Sequence, residues 1–116
     1  MSKITRYFAI DTARAVGTAA ETPAIKVDQE DGYCLQTVFS GLSTGASGTI
    51  TLQTSIDGTN FASYPNSAQN FASGTTNLVW EVTQKRHKLA RLALSAVVAS
   101  GTGTCTTTYY GEVLAD

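Results

Sequence analysis

Charge is what this 116-residue chain has least of. Charged side chains make up 15% of it, well under the roughly one quarter usual in soluble domains. Eight Lys and Arg stand against nine Asp and Glu, for a net charge of −1. No basic field is available at whole-chain level to neutralise a phosphate backbone, which excludes nucleic acid as the main partner. There is one histidine, His87, in the run Gln84-Lys85-Arg86-His87-Lys88. Histidine catalysis needs a nucleophile, a base and an orienting group brought together, and this lone imidazole reads instead as part of a solvated turn. The two cysteines, Cys34 and Cys105, have no Cys or His companions, which excludes a structural zinc site. They read as small buried hydrophobes; a disulfide between strands stays geometrically open. Long apolar runs are missing as well. No stretch approaches the ~18 continuous apolar residues of a membrane helix. The N-terminal Met1 to Tyr7 has no apolar signal core, so a product made in a cytoplasm is expected.

Helical periodicity and catalytic motifs are also absent. Thr12 to Glu21 is Ala-rich, but Gly17 interrupts it, Pro23 follows, and no apolar stripe recurs at helical spacing. Asp11 to Thr22 is therefore expected to be a loop or arm with at most one helical turn. No phosphate-binding Gly-Lys-Ser/Thr, no Gly-x-Ser-x-Gly elbow and no dinucleotide fingerprint occurs. Asp28, Glu30 and Asp31, near Gly32, could in principle hold a hard cation, but their spacing is not that of a calcium loop, and a polar turn is expected. Asp57 and Glu81 would form a glycosidase pair only if the fold brought them together, and nothing local does so. No enzymatic activity, catalytic residue, metal or cofactor is expected.

What is present is a series of short alternating segments divided by Gly, Ser and Asn clusters. Ile4 to Ile10 and Ala24 to Val27 are the first candidates. In Tyr33 to Phe39, Tyr33, Leu35 and Phe39 share one face. Thr49 to Ser55 alternates with period two, Ile50 and Leu52 pointing inward. Asp57-Gly58 is a hairpin signal, making Asn60 to Tyr64 the return strand and Pro65 to Thr76 a polar loop that holds Phe71. Asn77 to Val82 turns Leu78, Trp80 and Val82 inward. Lys88 to Val97 brings Leu92 and Leu94 to the core. A Gly-rich turn at residues 99–103 leads to the last strand, Thr104 to Val113. About eight such strands are enough for two packed antiparallel sheets. Tyr109 and Tyr110 are adjacent in a strand and must face opposite ways, so one of them leaves the core as a candidate contact. Trp80 alternates with core residues and reads as core; exposed rings among Phe61, Tyr64, Trp80 and Tyr109 would instead make a sugar platform, so a glycan partner stays open.

The segment from Gly48 through Asp57-Gly58-Thr59-Asn60 to Phe61 resembles a pattern found in small virion proteins of tailed bacteriophages. The Trp80 strand, the Lys88 to Ala96 strand and the Gly101-Thr102-Gly103-Thr104 turn fit the same layout, so the resemblance spans about residues 33 to 113. It implies a non-enzymatic virion structural protein, foremost a capsid decoration (cement) subunit, trimeric, with the major capsid protein or other virion subunits as partners. A tail or head–tail connector subunit and a carbohydrate- or receptor-binding tail module are the alternatives. The expected fold is all-β: an antiparallel, jelly-roll-like β-sandwich with an extended N-terminal arm. Residues 1–27 would form the strand or arm and 28–116 the sandwich, within one domain. The expected contact residues are Arg6, Tyr7, Lys85, Arg86, Tyr109 and Tyr110. Neither nucleic acid nor a membrane is an expected partner.

Overall fold

The computed structural model describes residues 2–17, 19–27, 32–83, 87–96 and 102–115. All regular structure among them is β: β1 Ser2–Ala15, β2 Ala20–Glu21, β3 Ile25–Lys26, β4 Tyr33–Ser40, β5 Ser47–Ser55, β6 Ala62–Ser63, β7 Gln69–Ala72, β8 Asn77–Val82, β9 Leu89–Ala96 and β10 Thr104–Ala115. Every pairing is antiparallel. One sheet runs β1-β10-β4-β8. The other runs β2-β9-β5-β6, with β3 also on β9 and β7 also on β5.

The short strands resolve into a simpler plan. β2 and β3 share one edge of β9, and β6 and β7 share one edge of β5. Counted as one position each, they leave eight positions in the orders 1-8-3-6 and 2-7-4-5. That interleaving is a jelly roll, and the sandwich fold expected from the alternation is the fold observed. Its core joins the inward residues of both sheets, including Leu35, Tyr109, Trp80 and Val82 from the first and Ile50, Leu52, Phe71 and Leu92 from the second.

At the middle of the first sheet the core holds a polar pair. Thr37 and Thr107 face each other across β4 and β10, with 0% and 2% of their surface exposed and their hydroxyls 2.9 Å apart. Each satisfies the other where water cannot. Thr37→Val alone strands the Thr107 hydroxyl and is expected to cost about 1–3 kcal/mol in urea unfolding. The Thr37→Val/Thr107→Val double variant is expected to recover most of that loss. Strictly additive losses would contradict the pairing.

Three segments differ from the sequence expectation, each for a physical reason. Residues 11–15 continue β1 instead of forming a loop. β1 follows β10 through two register shifts, between Ala9 and Asp11 and between Asp11 and Arg14, with Ala13 at φ 52. Bulges of this kind let a strand absorb extra residues, and Asp11 and Arg14, ion-paired here, close the irregular stretch. Beyond it, Val16 is buried and donates from its N–H to Gly103 O. The expected return strand is cut to Ala62–Ser63 because Asn60 is held elsewhere. The Asp57 carboxylate accepts bonds from the Asn60 N–H, the Asn60 amide, the Thr59 N–H and the Ser55 hydroxyl. Those bonds hold its carboxyl well below the usual carboxylate range, the backbone and side chain of Asn60 first. Finally, the loop expected around Phe71 contains β7. Phe71 lies opposite Gly48, and its buried ring covers the backbone that a side chain at 48 would otherwise fill.

Candidate docking surface

Alternation along four adjacent strands fixes the outer face of the β1-β10-β4-β8 sheet. Its registers set Tyr7, Tyr110, Cys34 and Glu81 side by side in one row. Ala9, Thr108, Gln36 and Val79 form the next, followed by Thr106, Val38 and Asn77. Among these residues Glu81 is the sole charged side chain. Tyr7 is 73% exposed, Val38 and Val79 48% each and Tyr110 39%, so aromatic and aliphatic surface stands open on a rigid sheet. Just outward of the first row, the Tyr110 hydroxyl donates to Glu112 at 2.6 Å. The opposite outer face differs in kind. There Arg91 pairs with Glu21 at 3.0 Å, donates to Gln53 and covers the Phe61 ring from 4.0 Å.

The same sheet carries an overhang. β4 pairs with β10 only as far as Gly111, whereas β1 and β10 stay paired out to Ser2 and Ala115. Among the described residues β10 pairs beyond Gly111 with β1 alone, so the two strands run on there as a two-stranded ribbon, and the molecule measures 50 × 27 × 20 Å. β1 is thus an edge strand of the sandwich whose N-terminal end pairs with β10 alone among the described residues.

The expected contact residues occupy different places. Tyr7 and Tyr110 stand opposite each other on the outer face. Tyr109 points the other way and is fully buried, stacked on Tyr33 at 5.7 Å. Arg6 is turned inward too, donating to Lys26 O at 3.0 Å, with its guanidinium 5.4 Å from the rings of Phe8 and Tyr109. It fastens the start of the ribbon to the second sheet. Lys85 and Arg86 lie outside the described residues, as do Asp28, Glu30 and Asp31. His87 overturns the solvated-turn reading. It is 7% exposed, its Nε2 shares a 2.6 Å hydrogen bond with the Tyr33 hydroxyl, and its ring meets Tyr33 and Tyr64 edge to face. Tyr33 starts β4 facing inward, and its buried hydroxyl needs a partner. Burial first, then Tyr109 and Tyr64, raises the Tyr33 pKa and keeps the phenol protonated.

Of the four candidate sugar-platform rings, Trp80 and Tyr109 are buried, Phe61 lies under Arg91, and Tyr64 is half-buried. Trp80 is 4% exposed, and its indole N–H donates to Ser67 O at 2.7 Å. A cleft of about 220 Å³ lies between residues 64–69 and β8, and Trp80 lines it as part of the packed core. Asp57 and Glu81 sit on different sheets, one in the β5–β6 turn and the other on the outer face of β8.

The cysteines are both free. Cys34 is level with Tyr110 and Cys105 with Phe39, about 17 Å apart along the strands and on opposite faces, beyond the reach of a disulfide. Cys105 is buried against Asp11 and Arg14, and burial first pushes its thiol up to about 11. Cys34 lies partly exposed beside Glu81, and burial followed by that carboxylate raises it as well. Maleimide is expected to label Cys34 slowly in the monomeric folded chain, and Cys105 only after unfolding. Equal native labelling of both would contradict the inward placement of Cys105.

No protein-family model matches the chain, and no curated protein does. Solved structures do share its fold. The SPBc2 prophage-derived protein YomS superposes with a TM-score of 0.63 at 10% identity, covering 97% of this chain and 96% of that one. A Bacillus endospore-appendage structure, from a family of disulfide-linked pili, gives 0.59 at 17% identity over 98% of this chain and 90% of that one. A structure of infectious bursal disease virus gives 0.51 at 10% identity, with 96% of this chain matching 32% of the viral chain.

Proposed function

We propose that the chain is a non-enzymatic structural subunit of a bacteriophage virion, foremost a decoration subunit that docks on the capsid shell. The observation that carries this reading is the β1–β10 ribbon, which continues past the body of the jelly roll. A two-stranded ribbon alone in water is marginally stable, so an overhang of this kind gains most when it lies on a neighbour. The rest of the molecule suits the same use. The sandwich is rigid, and shell symmetry would multiply modest contacts into high avidity. Jelly rolls serve in viral shells and in lectins, and proteins of similar fold occur in a prophage, a spore appendage and a virus structure. Trp80, locked in the core, disfavours the sugar-binding alternative.

Density-gradient sedimentation of particles from cells that make the chain tests the proposal. The chain is expected to band with the particles in fixed stoichiometry, and shortening the ribbon by deleting residues 2–5 is expected to release it. A chain that stays wholly in the soluble fraction overturns the reading.

A further inference from the structure

The outer face of the four-stranded sheet has the dimensions of an interface in its own right. Four strands about 4.8 Å apart, eight residues long in β4 at about 3.4 Å per residue, present roughly 500 Å² of flat area. Over two partners that is roughly 1,000 Å², the size at which a specific contact begins, and Tyr7 and Tyr110 rising from the face add to it. Its charge pattern restricts the occupant. A strongly charged partner would lose hydration against Thr, Gln, Val and Tyr, with Glu81 the one charge in the rows to answer it. A second copy brings the same hydroxyls, amides and aliphatic groups and leaves nearly every pairing neutral.

We infer that this face packs against its own counterpart on a second copy of the chain, as an isologous pair. Glu81 sets the direction. It is the charged member of the rows and lies on the edge strand β8, while Tyr7 lies at the other end of its row on the edge strand β1. A two-fold axis along the strands lays β8 of one copy over β1 of the other. That places the Glu81 carboxylate over Tyr7 of the second copy, whose phenol can donate to it. The same operation sets Tyr110 over Cys34 of the second copy and brings the two Cys34 side chains close to the axis. With stacked sheets about 10 Å apart, both sulfurs fall within the span of a short bis-maleimide. The contact closes at two copies, where the phage resemblance implied a trimer.

Sedimentation velocity of the full chain at rising concentration tests the pair. A species of twice the chain mass is expected, and bis-maleimidoethane is expected to trap it covalently through Cys34 and not in Cys34→Ser. Val38→Glu/Val79→Glu introduces charges at exposed positions and is expected to weaken the pair by at least about 100-fold. Gln36→Arg, also exposed, should weaken it as well, and thermal melts of both variants should stay near wild type. A wild-type chain that remains monomeric at the highest concentration overturns the inference. So does any oligomer, trimer included, that is indifferent to these substitutions. The pair is expected of purified chain alone, so this result is independent of whether the chain is found on particles.

Discussion

Replacing Trp80 with alanine is expected to cost about 3–5 kcal/mol of folding stability, the range for deleting a buried indole. A domain of this size has about 5–15 kcal/mol to lose, so the variant should unfold at far lower urea. The side chain is 4% exposed and stands opposite Leu35 in the register of β8 with β4. Its N–H donates to Ser67 O, and the Ser67 hydroxyl in turn accepts from the Leu52 N–H. Alanine opens a cavity and also releases one end of the segment that closes the sandwich beside β8. Because Trp80 is the chain's one tryptophan, unfolding must be followed by circular dichroism and not by indole fluorescence. Val79→Ala, next to it and facing out, provides the control and is expected to fall within about 0.5 kcal/mol of wild type. Equal effects at the two positions would mean that the inward and outward assignment of β8 is wrong.

Gly48→Val is expected to cost about 3 kcal/mol, at the upper end of what overpacking does to a core. Glycine is required here by space. A Cβ at 48 would sit 2.7 Å from Phe71 ring atoms and 2.8 Å from Ser95 O. The ring cannot retreat, because it is buried and stacked on Phe39 with centroids 4.9 Å apart. The Ser95 carbonyl belongs to β9, which pairs with β5 along its whole length. Combining Gly48→Val with Phe71→Leu removes one obstacle and leaves the other, so partial recovery is expected in denaturant titration. Full recovery would show that the ring alone excludes a side chain.

The sheets could be read from the sequence wherever one side of a strand is buried. Ile50 and Leu52, Leu78 through Val82, and Tyr33 through Phe39 alternate cleanly because each strand has a core side and a water side. Alternation does not encode which strands are neighbours, so the 1-8-3-6 and 2-7-4-5 interleaving became visible only in the registers. It also fails where pairing geometry overrides pattern. β1 runs on through Ala13 because bulges accommodate it, and β7 is recognisable mainly by one buried ring lying over a glycine. Phe71 was the available signal, a large apolar residue stranded in a polar stretch opposite Gly48. For the docking surface, the adjacent tyrosines showed that one ring must leave the core, and the structure assigns that place to Tyr110. Local patterning places His87 in a solvated turn because its partner, Tyr33, is 54 residues away in sequence, a separation that such patterning cannot bridge.

Cryo-electron microscopy of particles that carry the chain would show what lies against the β1-β10-β4-β8 face. The expected map has protein density packed over that face, with Tyr110 and Val38 excluded from solvent and the ribbon resting on a neighbouring subunit. A map in which the face stands bare while the chain is held by its opposite, Arg91-bearing side would contradict it.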